Sequence, residues 1–292
     1  MQAAFQGVPG AYSELACKQL LGQECRTLAC EAFQGVFDAV EAGRADLGVI
    51  PIENSLAGSI HQNYDLLLSR DLHIVGEAYL KVEHMLLCHP QAALADLTEV
   101  RSHPQALAQC ARFFARNKRV KPVVYFDTAG AAQSLARAPR HVGAIASAYA
   151  GKLYGLKVAR RNLQDRSNNF TRFLAVAREP FAPTRLKSKT SLVFMPARNH
   201  VGVLHRILGI FAEARIDLLK IESRPNPFSP FEYWFYADLA GGAGEAKVDK
   251  ALGRLQKMVS RLKLLGSYPR AAIPAAGRSR AAATTPTRQA KK

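Results

Sequence analysis

The first 178 residues alternate short apolar runs with helix-like stretches. Each run is followed by turn residues and a helical segment: residues 3–5 and 12–21, 46–50 and 60–69, 99–102 and 104–115, 123–126 and 129–136, and 142–146 and 147–154. A repeated strand–turn–helix order predicts parallel sheets in an α/β fold. Two longer connections, at 77–88 and 158–165, indicate that the chain leaves one lobe and returns to it. We therefore expect a two-lobed domain over residues 1–178, with lobe one formed by 1–76 and 165–178 and lobe two by 77–164.

A different pattern follows a spacer at residues 179–188, which contains Pro180 and Pro183. Residues 189–270 read as strand, helix, strand, strand, helix and strand, which is the βαββαβ order of a ferredoxin-like unit. Residues 271–292 are rich in Ala, Pro, Thr and Arg and contain almost no large apolar residue. Such a segment cannot bury a core, so we expect a disordered basic tail.

Composition excludes few classes of protein, since 48% of the residues are hydrophobic and 22% are charged, as in ordinary soluble proteins. No apolar run approaches the roughly 20 residues that span a bilayer. The first residues lack a basic region and a long apolar stretch, so a cytoplasmic protein without a membrane partner is expected. The five cysteines form no CxxC pair and are odd in number, which favours reduced thiols over disulfides or a zinc site.

The net charge of +17 raises the question of nucleic-acid binding. Six basic residues without any acid lie from Ser267 onward, which leaves +11 for the rest of the chain. The remaining basic residues are scattered and form no aromatic-rich basic motif. This pattern favours a surface that attracts small anions, and no nucleic-acid partner is expected.

The candidate chemistry begins at Gly7–Glu14, a glycine-bearing turn between a strand and a helix that contains Gly10, Ala11 and Ser13. Free N–H groups at the start of a helix attract carboxylates and phosphates. The alternative is a tight turn in which Ser13 caps the helix.

Three further polar segments follow strand ends, the edge at which open α/β sheets collect ligands. They place Glu53, Asn54 and Ser55, then Ser102 with Gln105 and Gln109, then Asp127 and Thr128 at that edge. The alternative for each segment is a loop that caps the next helix. His103 suggests an acid–base group, but one histidine beside a helix cap is more often structural.

The segment Asn168–Phe173 places Asn169, Thr171, Arg172 and Phe173 where a loop enters a strand. Successive strand side chains face opposite sides, so Arg172 reaches a ligand bound by Thr171 only if the backbone is irregular. Otherwise it is a structural cation that ties the lobes together. Glu53 is likewise either an orienting group or a structural partner for a backbone N–H.

Sequence signatures of a phosphate-binding loop, HExxH, GxSxG and paired catalytic carboxylates are absent from the chain. We therefore expect no cofactor, no metal and no covalent nucleophile. A pocket of neutral donors suits hydrogen bonding and anion binding.

In order and spacing, five segments resemble the prephenate dehydratase family: Gly7–Glu14, Pro51–Ser55, Ser102–Gln105 with Gln109 and Cys110, Asp127–Ala129, and Asn169–Phe173. The resemblance implies a catalytic domain similar to type 2 periplasmic binding proteins. It also implies cofactor-free conversion of prephenate to phenylpyruvate, water and carbon dioxide in phenylalanine synthesis. The resemblance further implies that Thr171 polarises the leaving hydroxyl. The substrate-binding residues that it implies are Gly10, Ala11, Ser13, Glu53, Asn54, Ser55, Ser102, Gln109, Thr128, Asn169, Arg172 and Phe173.

Glu222, Ser223, Arg224 and Pro225 look like the motif of the family's regulatory ACT domain. Such domains pair edge to edge and bind phenylalanine at the interface, so a homodimer or homotetramer inhibited by phenylalanine is implied. Gly202, Val203 and Leu204 would complete the effector site, although Val201 stands where the family usually has proline. The alternative for Glu222 and Arg224 is a solvated ion pair.

Two other functions remain open. Arogenate dehydratase performs the same chemistry on a substrate in which an amine replaces the keto oxygen. A non-catalytic module that binds a small anion would share the two lobes and the polar cleft.

Overall fold

The computed structural model of the chain describes residues 1–181, 187–226, 229 and 231–272. Within these ranges the chain forms three sheets flanked by helices. Most of the predicted tail at 271–292, and residues 182–186 of the predicted linker, lie outside the described residues. No helix of the described ranges is long and apolar enough to cross a membrane.

Lobe one is built on a six-stranded sheet with the order β2-β1-β3-β11-β5, and β4 pairs with β3. Its strands are β1 Gln2–Gln6, β2 Arg26–Cys30, β3 Leu47–Asn54, β4 Gly58–Ser59, β5 His73–Lys81 and β11 Phe170–Ala177. Its helices are α1 Tyr12–Leu21, α2 Phe33–Glu41 and α3 His61–Ser69. The sequence pattern missed β2 and α2. Strand β2 is partly exposed and weakly apolar, so it gives little hydrophobic signal.

Lobe two has a five-stranded sheet with the order β10-β6-β9-β7-β8. Its strands are β6 Met85–Cys88, β7 Glu99–Ser102, β8 Lys121–Val124, β9 Val142–Ala146 and β10 Lys157–Arg160. Its helices are α4 Pro104–Ala108, α5 Ala111–Arg116, α6 Thr128–Ser134 and α7 Ala148–Leu153. The helix predicted over 104–115 is therefore two short helices.

The prediction of parallel sheets is wrong for both lobes, because each sheet is mixed. β11 runs antiparallel to both β3 and β5, since the chain re-enters lobe one in the opposite direction. In lobe two β6 runs antiparallel to β9 and β10. The predicted strand at 77–88 is interrupted between Lys81 and Met85, where the chain passes from one lobe to the other.

The C-terminal unit (residues 188–269) has the predicted βαββαβ order. Its elements are β12 Ser188–Pro196, α8 Val203–Glu213, β13 Leu218–Pro225, β14 Tyr233–Ala240, α9 Ala246–Gln256 and β15 Val259–Pro269. The strands pair antiparallel in the order β13-β14-β12-β15, as in ferredoxin-like units. Helices α8 and α9 cover one face, over a core that includes Phe194, Ile207 and Leu255.

The other face of this sheet packs on lobe one. Trp234, Tyr236 and Leu265 belong to the same buried cluster as Leu67 and Ile74 of lobe one. At the edge, a Cβ on Gly266 would lie 2.1 Å from the carbonyl oxygen of Ile74, so glycine permits β15 to approach β5 closely. Lobe one and the C-terminal unit therefore share a buried apolar cluster where they meet.

Candidate active site

A cavity of about 180 Å³ opens between the two lobes. Residues from all five predicted polar segments line it: Ser13, Asn54, Gln109, Thr128, Thr171 and Phe173. We call this cavity the inner cavity. A wider cavity of about 450 Å³ shares Gln105 and Gln109 with it and forms its mouth, where the exposed guanidinium of Arg166 lies. The sequence pattern did not single out Arg166, Tyr12 or His84, although the last two also line the inner cavity.

Thr171 lies opposite Asn54 in the β11–β3 ladder, and its side chain is 9% exposed. Its Oγ1 accepts a hydrogen bond of 2.9 Å from Asn54 Nδ2. Because the oxygen is used as an acceptor there, the hydroxyl proton of Thr171 remains available to the cavity. Phe173 lines the same cavity while Arg172 does not, as alternation along a strand requires.

The amide of Asn54 is held in one orientation. Its Oδ1 accepts the backbone N–H groups of Leu56 and Ala57, both at 3.0 Å, in the turn that ends β3. The nitrogen must then face the other way, where it donates to Asn169 Oδ1 at 2.8 Å as well as to Thr171. The turn at the strand end therefore fixes the donor that orients Thr171.

Gln109 extends this network into lobe two. Its Oε1 lies 2.8 Å from Asn169 Nδ2 and 2.9 Å from His84 Nε2. Burial lowers the pKa of His84 and the hydrogen bond to Gln109 opposes this only in part, so the imidazole is neutral near pH 7. With two donors at its oxygen, Gln109 presents its amide nitrogen to the cavity it lines.

The glycine-bearing turn differs from both of its predicted roles. Ala11 is the N-cap of α1 and makes no side-chain cap bond, while Ser13 lies in the first turn and lines the cavity. The N–H of Gly10, which was expected to face an anion, donates to Glu14 Oε2 at 2.6 Å. On the other side Ser147 of lobe two donates to the Gly10 carbonyl at 3.2 Å. Gly10 and Ala11 thus shape a contact between the lobes.

Two predicted serines hold backbone segments together. Ser102 is fully buried, and its hydroxyl donates to the Ile145 carbonyl at 2.7 Å, which joins β7 to β9. Ser55 donates to the Asn168 carbonyl at 2.8 Å and accepts from Phe170 N at 2.9 Å. Neither serine is among the residues that line the inner cavity.

The helix caps of lobe two follow the prediction. Asp127 accepts the N–H of Gly130 and caps α6, which places Thr128 at the cavity wall. His103 caps α4 by accepting the N–H of Gln105 at 3.3 Å. Burial lowers the pKa of His103, so its structural role is that of a neutral cap.

Arg172 does not reach the cavity, so its predicted contact with substrate is absent from this structure. Its guanidinium donates to Glu77 at 2.8 Å, to Asp238 at 2.6 Å and to Tyr268 at 3.0 Å. Lys189 donates to the same Glu77 carboxylate at 2.8 Å, and all five side chains are buried. Arg172 is therefore a structural cation, but it joins lobe one to the C-terminal unit and not to lobe two.

Glu53 also faces the C-terminal unit. Lys220 Nζ lies 3.0 Å from Glu53 and 3.1 Å from Glu222. Glu222 further pairs with His61 at 2.9 Å and accepts from Ser59. Burial would raise the pKa of Glu222, but the hydrogen bonds from Ser59 and Lys220 hold it below its ordinary value. The Glu53 carboxylate thus pairs with Lys220, and Glu53 is not among the residues that line the cavity between the lobes.

The predicted effector residues make different contacts within one copy. Arg224 pairs with Asp65 of lobe one at 2.6 Å and Glu222 pairs with Lys220, so the alternative of an ion pair between Glu222 and Arg224 is wrong. Gly202, with φ of 81°, is the N-cap of α8. The two residues after it, Val203 and Leu204, line a different cavity of about 130 Å³. Ser223 and Pro225 are exposed on β13.

The sequence matches a known family over most of the lobes. A model of the prephenate dehydratase family matches residues 3–181. Two plant relatives are each 44% identical over 286 residues: arogenate dehydratase 1 of Petunia hybrida and the chloroplastic arogenate dehydratase/prephenate dehydratase 6 of Arabidopsis thaliana. Both alignments cover 92% of this chain, and they cover 67% and 69% of the relatives' lengths.

Solved structures agree with the sequence match. Prephenate dehydratase from Arthrobacter aurescens, in complex with L-Phe, superposes with a TM-score of 0.85 at 29% identity, over 92% of this chain and 90% of that one. GqqA, described as a novel type of quorum quenching acylase, gives a TM-score of 0.85 at 37% identity, over 93% and 98% of the two chains.

These relatives correct one expectation and establish another. The cytoplasmic location is wrong by this comparison, because the Arabidopsis relatives are chloroplastic. That expectation rested on the absence of an export signal, which does not determine a compartment. Because the family model spans more than half of the chain and the plant relatives are 44% identical over 92% of it, this chain belongs to the prephenate dehydratase family of hydro-lyases.

Proposed function

We propose that this protein converts prephenate to phenylpyruvate, water and carbon dioxide, with Thr171 polarising the departing hydroxyl. The ring carboxylate leaves as carbon dioxide, and its bonding electrons enter the ring. The ring becomes aromatic as the C–O bond breaks, and the oxygen takes up a proton and leaves as water. The driving force is in the substrate, so the protein need only fix the geometry and stabilise the charge on the leaving oxygen.

The observation that carries this proposal is the hydrogen bond from Asn54 to Thr171. A hydroxyl that accepts from a fixed amide keeps its proton free to donate, so the substrate meets a donor. A threonine hydroxyl is too weak an acid to transfer its proton freely. It stabilises the leaving oxygen by a hydrogen bond, with water as the proton source.

The remaining lining groups suit a dianion. Ser13, Thr128 and the amide nitrogen of Gln109 supply neutral donors for the carboxylates, and Phe173 supplies an apolar wall for the ring. Arg166 at the mouth attracts the incoming anion. Asn54 and Asn169 position these donors, while Gly10, Ala11, Ser55 and Ser102 hold the loops that carry them.

Prephenate is favoured over arogenate by the charge of the inner cavity. Arogenate carries an ammonium group that needs an anionic partner, and the described residues that line the inner cavity include no carboxylate. Asp165 lies only at the mouth, where it accepts from Arg112 N at 3.2 Å. We expect a higher kcat/KM for prephenate, measured with both substrates on the same preparation; the reverse order would assign arogenate.

An acylase activity, named for one structural relative, finds less support in the cleft. An acylase serine needs a base that takes its proton. The hydroxyls of Ser55, Ser102 and Ser147 donate instead to backbone carbonyls. Ser13 lines the inner cavity, but its hydroxyl is not hydrogen-bonded to a base among the described residues.

We further propose that residues 1–178 form the catalytic domain, 179–188 a linker, and 189–270 an ACT domain that binds phenylalanine as an inhibitor. L-Phe bound to the Arthrobacter relative supports an effector role. Val203 and Leu204 line an apolar cavity that also contains Phe235, which suits an aromatic side chain. Ser223 lies opposite Phe235 in the β13–β14 ladder and is exposed, so the predicted effector motif of β13 borders this cavity.

The free edge of β13 supports a homodimer or homotetramer. Among the described strands β13 pairs with β14 on one side only, and unpaired strand edges are templates for pairing with another chain. Ile221, 39% exposed, adds apolar area on this edge strand. Sedimentation of the full chain with and without phenylalanine tests this assembly, and a monomer under both conditions would contradict it.

The first experiment is ultraviolet detection of phenylpyruvate formed from prephenate, with and without phenylalanine. Formation that phenylalanine suppresses supports both the activity and its regulation. Binding of prephenate without any product would favour the non-catalytic binding module.

A further inference from the structure

His84 lies at the junction of the two lobes and has no part in the chemistry proposed above. Its side chain is 2% exposed. Its backbone N–H donates to Gln164 Oε1 at 2.9 Å, and its carbonyl accepts from Leu163 N at 2.8 Å. Residues 163 and 164 belong to the return crossing, so His84 joins both chain segments that connect the lobes.

The imidazole contacts both lobes as well. On one side Nδ1 lies 3.2 Å from the hydroxyl of Tyr12, which begins α1 in lobe one. On the other side Nε2 lies 2.9 Å from Oε1 of Gln109 in lobe two. The ring of Tyr12 meets the imidazole edge-on, with centroids 5.9 Å apart.

The hydrogen-bond partners select one tautomer. Gln109 Oε1 already accepts from Asn169 Nδ2 at 2.8 Å, so the Gln109 atom facing His84 is an acceptor. His84 must then carry its proton on Nε2. Nδ1 is unprotonated and lies beside the Tyr12 hydroxyl, whose proton is donated to the Glu83 carbonyl at 2.7 Å. Burial, which lowers the pKa of His84, agrees with a neutral ring.

We propose that His84 is a positioning residue: its Nε2–H fixes the Gln109 amide across the lobe junction, so that the amide nitrogen of Gln109 faces the substrate. This inference rests on the proposed dehydratase function. Without the imidazole donor Gln109 can rotate about its terminal torsion, and the lobes lose a link beside Thr171. Small misplacements of orienting groups cost rate out of proportion to their size.

Two amide substitutions separate positioning from packing. In His84→Gln the amide nitrogen can occupy the place of Nε2, whereas in His84→Asn it reaches only the place of Nδ1. We expect His84→Gln to keep kcat/KM for prephenate within a few-fold and His84→Asn to lose about 100-fold. His89→Asn is the matched control, because His89 lies beyond β6, is not among the cavity-lining residues and has an imidazole that accepts from Gln91 N; it should leave activity unchanged.

A second comparison uses Gln109→Ala as the background. Since His84 acts through Gln109, adding His84→Asn to Gln109→Ala should cost little more. Full activity in His84→Asn, equal losses in the Gln and Asn variants, or an additive loss in the double variant would each overturn the inference.

A measurement without turnover separates this inference from the proposed function. Nitrogen-15 NMR of the wild-type imidazole should show a neutral ring protonated on Nε2 between about pH 6.5 and 8. Protonation on Nδ1 would overturn the inference even if the enzyme is active. A wild-type protein that binds but does not convert prephenate would refute the proposed function while this signature stands.

Discussion

Two buried polar networks lie on opposite faces of strands β3 and β11, and they differ in the charge of their side chains. Along β11 Thr171 faces the cleft and Arg172 faces the C-terminal unit; along β3 Asn54 faces the cleft and Glu53 faces that unit. The cleft network consists of neutral amides, hydroxyls and an uncharged imidazole. The interface network consists of ionised side chains.

The difference follows from what each network must do. Neutral groups can exchange partners with water or substrate at modest cost, whereas buried ions are strongly destabilising unless their partners stay in place. Two cations, Arg172 and Lys189, face two anions, Glu77 and Asp238, at the interface. The interface network thus holds strands β3 and β11 in place, while the cleft network on their other face can bind and release a ligand.

Removing a cation from the buried ionic network at the interface should have the largest effect on stability. Arg172→Met removes a buried cation that three side chains accept from, and leaves Glu77 and Asp238 in excess. We expect the free energy of unfolding to fall by about 3–5 kcal/mol, measured by denaturant titration. Lys81→Met, which breaks an exposed pair with Glu83, is the control and should cost at most about 1 kcal/mol. A raised KM with undiminished stability would instead place Arg172 in the cleft.

Removing the cleft donor should affect rate and not stability. Thr171→Val keeps the shape of the side chain and deletes the hydroxyl, so kcat should fall about 100- to 1000-fold, as for loss of other transition-state donors. Thr171→Ser retains the hydroxyl and should keep most of the activity. Retained turnover in the valine variant would exclude the proposed role of Thr171.

Pushing the lobes apart should have an intermediate effect. Gly10 has φ of +94°, and an added Cβ would lie 3.2 Å from Ala150 Cα of lobe two. Gly10→Ala should raise KM about tenfold, the equivalent of about 1.4 kcal/mol. Gly22→Ala is matched in φ, at +92°, but has open space around its Cβ. Both variants should lose some stability. An equal KM in both would show that the contact between Gly10 and Ala150 does not affect substrate binding.

Removing Lys220, which bridges Glu222 and Glu53, should change inhibition by phenylalanine and not catalysis. Burial would lower the pKa of Lys220, but Tyr64, Glu53 and Glu222 raise it, so Lys220 stays charged. Lys220→Met should raise the phenylalanine concentration for half-inhibition about fivefold, with kcat little changed. Lys263→Met is the control, because the Lys263 ammonium donates to three carbonyls near the end of α3 and not to Glu53 or Glu222. Equal inhibition of both variants would exclude coupling through Lys220.

Acid should weaken the same link by a small amount. The pKa of Glu222 is lowered in the folded chain, so its stabilising contribution is present above the unfolded value of about 4.3 and is lost as pH falls through the folded value. Glu222→Gln should therefore flatten the acid limb of a melting-temperature profile. An unchanged acid limb would show that Glu222 does not contribute there.

The sequence was sufficient for the main elements because their signals are local. Residues 12–21 and 142–146 were predicted with the bounds that α1 and β9 have, since periodicity, glycine turns and β-branched residues act within a few positions. The order of the C-terminal elements was also correct. The cleft could be predicted from its polar strand ends, because a sheet gathers those ends on one edge.

The tertiary structure decided what neighbouring residues face. Nothing local distinguishes Asn54 from Glu53 or Ser13 from Ser102, and their roles follow from which segment lies opposite. His84 gave no signal because its partners, Tyr12 and Gln109, are 72 and 25 residues away in the chain. The direction of β11 likewise depends on where the chain re-enters lobe one. The sequence by itself determined which chemical groups are available and which segments carry them; long-range packing decided which of them meet at the cleft and which are used to hold it in place.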